Sequence, residues 1–309
     1  MSGLHTAWFE GFHSQQFEVD GQRLFARLGG RPADDTGAPV LLLLHGFPQT
    51  HAMWHRVALR LAPHFRLVIP DLRGYGDSDK PPGLPDHANY SKRVMAADLV
   101  GLMAALGHRR YNVCGHDRGA RVAHRMALDH PERVDRLCVI DVVPTLTMYE
   151  RTDMAFASAY YHWFHLIQSA PLPERMIGGN ATYYLHAKLG GWGADGLDHV
   201  EPPALLDYER CFCNAAGIHA ACEDYRAAAS IDLVHDRMSR SAGQKVQAPL
   251  QVLWGERGVV HRLFDPIADW QAVCEGPVTG LAMPAGHFIP EEQPEACALA
   301  LSRFFLGEC

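Results

Sequence analysis

Short apolar runs alternate with amphipathic stretches along much of the chain, and this alternation constrains the fold more than any other feature. Five runs are predicted as buried strands: 40–44, 67–70, 111–115, 137–140 and 250–254. Helical periodicity occupies 91–106, 120–130 and 294–305. Strands that alternate with helices favour a mostly parallel sheet with crossover helices on its faces.

The alternation stops near Pro144 and resumes near Pro249. Residues 146–245 hold 12 of the 29 Phe, Trp and Tyr residues, in helical stretches without clear buried strands. An aromatic-rich helical insertion is suited to covering a small pocket. We therefore expect a core of residues 1–145 and 246–309 and a helical cap of residues 146–245.

Composition and charge exclude several classes of protein. Lys and Arg total 28 against 35 Asp and Glu, and a net charge of -7 disfavours nucleic acid as a partner. No apolar run approaches the ~20 residues that span a bilayer, and the first residues lack the features of a secretory signal. The eight cysteines are scattered, without a Cys-x-x-Cys pair, which favours free thiols in the cytoplasm over disulfides or zinc.

A Gly-x-Asp-x-Gly sequence, Gly115 to Gly119, joins a predicted strand to a predicted helix. This is the form of the strained turn that presents the nucleophile in the α/β-hydrolase fold, with Asp117 in place of the usual serine. A serine attacking a saturated carbon would form an ether, whereas a carboxylate forms an ester that water can cleave. Asp117 therefore predicts displacement at a saturated carbon through a covalent ester.

Hydrolysis of that ester needs a base and an oxyanion site. His287 lies in a glycine-containing loop near the C-terminus, where this fold places its base. Asp141 and Glu256 each follow a predicted strand, and either could orient His287. The backbone N–H groups of Phe47 and Arg118 are the candidate oxyanion hole.

These residues resemble those of the haloacetate dehalogenases, including the fluoroacetate dehalogenases, of the α/β-hydrolase fold. The resemblance covers nearly the whole chain. It rests on HGFPQT (45–50), DLRGYG (71–76), GHDRGAR (115–121), HW (162–163), CEDYRA (222–227) and GHF (286–288). The aspartate elbow with two arginines, combined with His-Trp in the cap, is the more specific part.

The resemblance implies a role for each matching position. Arg118 and Arg121 would hold the substrate carboxylate, since a guanidinium can bind a carboxylate with two hydrogen bonds. The leaving halide would be received by three cap side chains: His162, Trp163 and Tyr225. The resemblance also favours Asp141 as the acid behind His287, and implies a homodimer without a metal or organic cofactor. The expected reaction converts a small 2-haloacid, such as haloacetate, to glycolate and halide.

Two positions depart from the family pattern, and both bear on halide preference. Ala159 replaces a lysine of some relatives, and His165 lies where relatives tend to be apolar.

Two other functions are considered. An epoxide hydrolase would use the same nucleophile with Tyr160, Tyr161 or Tyr225 as acids, but usually has tryptophan after the nucleophile, where this chain has Arg118. A non-catalytic ligand-binding protein would have no need of nucleophile, base and acid together.

Overall fold

The computed structural model describes residues 8–32, 34–35 and 37–308. Its central sheet contains β1 (His13–Val19), β2 (Gln22–Gly30), β3 (Val40–Leu44), β4 (Arg66–Pro70), β5 (Tyr111–His116), β6 (Val134–Ile140), β7 (Leu250–Gly255) and β8 (Val278–Met283). All five strands predicted from apolar runs are present. The sequence analysis missed β1, β2 and β8. Most residues of β1 and β8 are exposed or half-buried, and Arg23 and Arg27 leave β2 without a continuous apolar run.

The strands lie in the order β1-β2-β4-β3-β5-β6-β7-β8. The β1–β2 and β2–β4 pairs are antiparallel, and all the other neighbouring pairs are parallel. This confirms the predicted mostly parallel sheet. Because parallel strands end at the same edge, the residues that follow β3, β5, β6 and β7 come together there, which is where ligands bind in such sheets.

Three helices follow strands in the first part of the core: α1 (His55–Leu61), α2 (Lys92–Ala105) and α3 (Arg118–Asp129). The Ser91 side chain caps α2 by accepting the Val94 N–H at 3.3 Å. Helix α3 contacts β5 and β6 and is buried from its first residue to Leu128. Its first turn therefore sits at the sheet edge with little access to solvent.

Between β6 and β7 the chain forms α4 (Thr145–Glu150), α5 (Met154–Ala159), α6 (His162–His165), α7 (Leu172–Gly178), α8 (Ala181–Trp192), α9 (Pro202–Phe212), α10 (Ala215–Ala229) and α11 (Ile231–Ser241). We call residues 145–241, all of which the structure describes, the cap segment. It contains no strand. Six of its aromatic side chains are buried: Phe156, Tyr160, Trp163, Tyr208, Phe212 and Tyr225.

The remaining helices are α12 (Val259–Leu263), α13 (Pro266–Gln271), α14 (Ile289–Glu292) and α15 (Pro294–Leu306). The centre of the hydrophobic core runs through β3, where the four leucines from Leu41 to Leu44 are completely buried. Burying one such side chain contributes about 1.5–3 kcal/mol. Within the described residues, no helix is long and apolar enough to cross a membrane.

Candidate active site

Asp117 stands at a tight turn between β5 and α3. Its backbone φ is 47°, in the left-handed region that is strained for residues other than glycine. Glycines allow the turn, since a Cβ on Gly115 would lie 2.5 Å from the Gly119 oxygen and a Cβ on Gly119 would lie 2.3 Å from the His45 oxygen. The local geometry is that of the predicted elbow, with Asp117 at its apex.

A backbone donor from the β3 loop reaches the Asp117 carboxylate. The Phe47 N–H donates to Oδ1 at 3.0 Å. The neighbouring residue, Gly46, allows this approach, because a Cβ there would lie 2.5 Å from the Asp117 Cβ. Arg118 is the first residue of α3, where N–H groups have no acceptor within the helix. Both predicted oxyanion amides therefore belong to backbone that borders the carboxylate.

His287 lies in the loop between β8 and α14. Its Nδ1 is 2.6 Å from Asp141 Oδ2, and its Nε2 is 3.9 Å from Asp117 Oδ2. Asp141 follows β6, and its Oδ1 accepts the Gly255 N–H at 3.0 Å. Of the two candidate acids, Asp141 is 1% exposed and contacts the imidazole, whereas Glu256 is exposed on the surface.

Charges around Asp117 favour its ionised form. Burial raises the pKa of Asp117, but the nearby His287 and Arg118 outweigh it and lower that pKa below the usual value. Burial lowers the pKa of His287, but the hydrogen bond and the charge of Asp141 outweigh it and raise that pKa. The site thus pairs an ionised carboxylate, which needs no base to attack, with an imidazole that can accept a proton.

A carboxylate without a predicted role fixes the His287 loop. Glu292 accepts the N–H groups of Gly286 at 2.7 Å and Phe288 at 2.8 Å, on either side of His287. It also accepts the N–H of Ala194, just beyond α8, at 2.9 Å. The His287 N–H donates to the backbone oxygen of the last residue of α8 at 2.9 Å. These bonds tie the loop to the cap segment.

Arg118 is fully buried, and Asp224 of α10 takes most of its hydrogen bonds. Nε donates to Asp224 Oδ2 at 2.8 Å, and Nη2 donates to Oδ1 and to the backbone oxygen of Asp224 at 2.9 Å. Nη1 is buried and has no partner in the described part of the chain. The guanidinium also lies 4.2 Å from the Tyr225 ring centroid. Asp224 therefore fixes the orientation of Arg118 and leaves one nitrogen for a ligand.

Arg121 lies one helical turn further along α3 and is 4% exposed. Nη1 donates to Thr145 Oγ1 at 2.9 Å and to the Val143 oxygen at 3.3 Å, and Nη2 lies 3.0 Å from Met148 Sδ. Its guanidinium stacks on Trp163 at 4.7 Å, while Nε is buried without a partner. Each of these contacts is with a neutral group.

The two arginines therefore differ in how their charges are balanced. Arg118 has a carboxylate partner, whereas Arg121 has no carboxylate within 4.0 Å among the described residues. Burial and the charge of Arg118 lower the pKa of Arg121, which reflects the cost of an unpaired buried cation. A buried cation without a counter-ion is a site for an anion.

The three predicted halide-binding side chains come from two cap helices and gather beside Phe47. The His162 and Tyr225 ring centroids are 5.4 Å apart, and those of Trp163 and Tyr225 are 6.3 Å apart. The Phe47 ring lies 6.0 Å from His162 and 5.4 Å from Tyr225. The Tyr225 hydroxyl and His162 Nδ1 are buried without partners, and burial holds the pKa of His162 well below its usual value.

Two more rings line the space between these side chains and the base. Trp192 lies 4.3 Å from His162 and 5.9 Å from His287, and Tyr160 lies 5.3 Å and 6.4 Å from the same two rings. The sequence analysis gave Tyr160 a role only in the epoxide-hydrolase alternative and gave Trp192 no role. Within the described residues there is no cluster of His, Cys, Asp and Glu able to hold a metal ion.

Comparison with known proteins agrees with the observed fold. A family model described as the alpha/beta hydrolase fold matches residues 39–173. The chain is 43% identical over 296 residues to a fluoroacetate dehalogenase from Burkholderia sp, across 96% of this chain and 94% of that protein. The chain belongs to the family of this dehalogenase. The resemblance noted in the sequence is thereby confirmed.

Other relatives of the dehalogenase family show how far the similarity extends. A crystal structure from Nostoc sp PCC 7120, assigned to the alpha/beta hydrolases, superposes with a TM-score of 0.93 at 50% identity, covering 97% of this chain and 100% of that one. A soluble epoxide hydrolase from Corynebacterium sp. (strain C12) is 30% identical over 272 residues, across 86% of this chain and 89% of that protein.

Proposed function

We propose that the chain hydrolyses the carbon–halogen bond of small 2-haloacids, converting haloacetate to glycolate and halide. The observation that carries this proposal is the unpaired, buried Arg121 beside the ionised Asp117. A carboxylate nucleophile implies attack at a saturated carbon, and an unpaired guanidinium nearby implies that the substrate is an anion. The 43% identity to a fluoroacetate dehalogenase supports the same reaction.

In the proposed binding step, Arg118 and Arg121 hold the substrate carboxylate. Arg118 offers Nη1 and Arg121 offers Nε, the one nitrogen of each guanidinium that is buried without a partner among the described residues. Asp224 fixes the orientation of Arg118, so the substrate does not have to order that side chain. Charge-assisted hydrogen bonds of this kind contribute about 1.5–3 kcal/mol each.

In the displacement step, an Asp117 oxygen attacks the α-carbon as the carbon–halogen bond breaks, and the bonding pair leaves with the halide. His162, Trp163 and Tyr225 receive the anion, since each can donate a hydrogen bond. The buried, unpartnered Tyr225 hydroxyl supports this role. The product of the step is an ester between Asp117 and the carboxymethyl group.

In the hydrolytic step, His287 removes a proton from water, and the resulting oxygen attacks the carboxyl carbon of Asp117. Asp141 stabilises the imidazolium, and the N–H groups of Phe47 and Arg118 stabilise the oxyanion. The intermediate collapses, and the glycolate oxygen takes the proton from His287. The Asp117 carboxyl group, which keeps the second proton of the water, releases it to solvent and is regenerated as a carboxylate. One oxygen of Asp117 now comes from water.

Single turnover in ¹⁸O-labelled water, with enzyme in excess over chloroacetate, tests this route. We expect the label in Asp117 by peptide mass spectrometry and unlabelled oxygen in the first-turnover glycolate. Label that appears only in glycolate would overturn the covalent ester. Asp117→Asn is the control and should release no halide from fluoro-, chloro- or bromoacetate, as read with halide-selective electrodes.

Epoxide hydrolysis is the second candidate, because Tyr160 and Tyr225 both lie close to His162 and the Corynebacterium epoxide hydrolase is a relative. A neutral epoxide would leave Arg121 without a counter-ion, so the geometry supports the haloacid better. Diol formation from styrene oxide without halide release from chloroacetate would reverse this order. Turnover of either substrate would exclude a purely ligand-binding protein.

The cap segment is proposed to act as a lid, since it contributes His162, Trp163 and Tyr225 to a site whose nucleophile belongs to the core.

A cytoplasmic location is proposed from the seven described cysteines, all of which are free thiols. A homodimer is carried over from the family resemblance alone. Light scattering of the purified protein measures it directly.

A further inference from the structure

Lys188 of α8 is a buried ammonium group outside the proposed haloacid site. It is 5% exposed, and no carboxylate oxygen of the described residues lies within 4.0 Å of its Nζ. Instead, Nζ faces three rings, at 3.8 Å from the Tyr161 centroid, 5.3 Å from Tyr184 and 5.2 Å from Trp192. Burial lowers the pKa of Lys188 to about 8.

A second buried lysine, Lys92, differs from Lys188 because carboxylates neutralise its charge. Lys92 is as buried as Lys188, but it forms an ion pair with Asp224 and lies 3.6 Å from Asp232. Lys188 has only π faces in the corresponding positions. The difference leaves Lys188 able to bind an anion that is not part of the chain.

The neighbours of Lys188 add hydrogen-bonding groups that have no partners. The Tyr184 hydroxyl and both ring nitrogens of His165 are buried and form no hydrogen bond with any residue that the structure describes. The His165 and Tyr184 ring centroids are 6.2 Å apart, and the charge of Lys188 adds to burial in lowering the pKa of His165. Buried polar atoms are rarely left unsatisfied, and a cation beside a phenol and an imidazole matches an anionic ligand.

The ring of Trp192 lies between the proposed halide pocket and the cluster formed by Lys188, Tyr184 and His165. Trp192 contacts Lys188 on one side and lies 4.3 Å from the buried His162 on the other. On the outer side, Tyr161 is 48% exposed, so the cluster extends towards the surface. Contacts through Trp192 and Lys188 therefore connect the buried His162 with the exposed Tyr161.

We propose that Lys188, Tyr184 and His165 form a second site for a small monovalent anion, which takes the halide released at the first. The choice of halide as the natural ligand rests on the proposed dehalogenation; the anion site itself does not. Neutral His165 supplies one N–H, Tyr184 supplies its hydroxyl, and Lys188 supplies the charge.

Crystals soaked in sodium bromide test the proposal by anomalous scattering. We expect two peaks in the wild-type protein, one among His162, Trp163 and Tyr225 and one beside Lys188. Lys188→Met should lose only the outer peak, and the exposed-lysine control Lys245→Met should keep both. A wild-type crystal with the inner peak alone, or an outer peak that persists in Lys188→Met, would overturn the second site.

Chloride NMR line broadening gives the same test in solution. Lys188→Met and His165→Phe should weaken chloride binding at the outer site by about tenfold or more, because each loses a contact to a charged ligand. Circular dichroism checks that both variants fold. Unchanged binding in both would contradict the proposal. An outer bromide peak in a protein that releases no halide from any haloacid would overturn the proposed function and the assignment to product halide, but leave the anion site in place.

Discussion

The acid–base cluster and the anion-binding cluster of the same site satisfy their polar groups in different ways. Asp117, His287 and Asp141 are linked to one another or to backbone N–H groups. The proposed anion-binding cluster consists of Arg118, Arg121, His162, Trp163 and Tyr225. Four of these side chains each keep a buried atom without a partner: Arg118, Arg121, His162 and Tyr225.

The difference separates preorganised chemistry from recognition. The residues proposed as nucleophile, base and acid are held in place before substrate arrives, which is how enzymes avoid reorganisation during the reaction. The residues proposed to bind the substrate keep unsatisfied buried atoms, which a ligand with acceptors at both ends would complete. A haloacid on its way to products presents a carboxylate at one end and a leaving halide at the other.

Among the variants that distinguish the two clusters, replacing the proposed base His287 should have the largest effect on the rate. His287→Gln should lower kcat by about 10²–10⁴-fold, because ester hydrolysis loses its general base. Displacement by Asp117 should still occur, so the carboxymethyl ester should accumulate. Mass spectrometry of acid-quenched enzyme detects the ester, and the exposed-histidine variant His64→Gln is the control. Failure to accumulate ester would remove His287 from the second step.

Removing the unpaired guanidinium should act on recognition. Arg121→Gln should lower kcat/KM for chloroacetate by about 10–150-fold, the equivalent of one charge-assisted hydrogen bond. Thermal stability should change little or rise, because the variant no longer buries an unpaired charge. The surface variant Arg109→Gln should match wild type in both measurements. A large loss of stability with unchanged kcat/KM would instead make Arg121 a structural residue.

The pH dependence should differ between the two chemical steps. His287 has a raised pKa, so acid protonates the base and slows ester hydrolysis by about tenfold per pH unit below that pKa. Asp117 has a lowered pKa, so displacement should persist to lower pH. Rapid-quench measurements separate the two rates. Asp141→Asn should move the hydrolytic limb to lower pH, because it removes the group that raises the pKa of His287.

A single halide donor should matter less than the arginine. Tyr225→Phe should slow the displacement step by about tenfold, the equivalent of one weak charge-assisted hydrogen bond. The effect should be greatest for fluoroacetate, because fluoride is small and depends most on hydrogen bonds. Halide release across the three haloacetates measures it, with exposed Tyr183→Phe as the control. A rate of halide release by Tyr225→Phe that equals the wild-type rate for each of the three substrates would exclude Tyr225 from the halide pocket.

The smallest effect is expected for Glu292, which lies outside the acid–base cluster but holds the His287 loop in place. Glu292→Gln should lower kcat roughly 3–10-fold with little change in KM, since one of its oxygens becomes a donor facing backbone N–H groups. Substrate recognition does not involve Glu292. The exposed variant Glu295→Gln is the control. A raised KM with unchanged kcat would show that the loop serves binding rather than the base.

Residues in short motifs could be predicted from the sequence, and residues fixed by long-range contacts could not. The elbow at Asp117 and the loop at His287 have local signatures. Asp141 and Glu256 could not be separated by strand position alone, and the contact between His287 and Asp141 spans 146 positions. Asp224 lay within a quoted motif, but its pairing with Arg118, 106 positions away, depends on how α10 packs.

The ion pair between Arg118 and Asp224 has a consequence for engineering this enzyme. One partner belongs to the core and the other to the cap segment, so the two parts are not interchangeable modules. A chimera that grafts another protein's lid onto this core must supply an acidic side chain at the position of Asp224. Without it, the buried guanidinium of Arg118 would lose its carboxylate partner and the hydrogen bonds that fix its orientation.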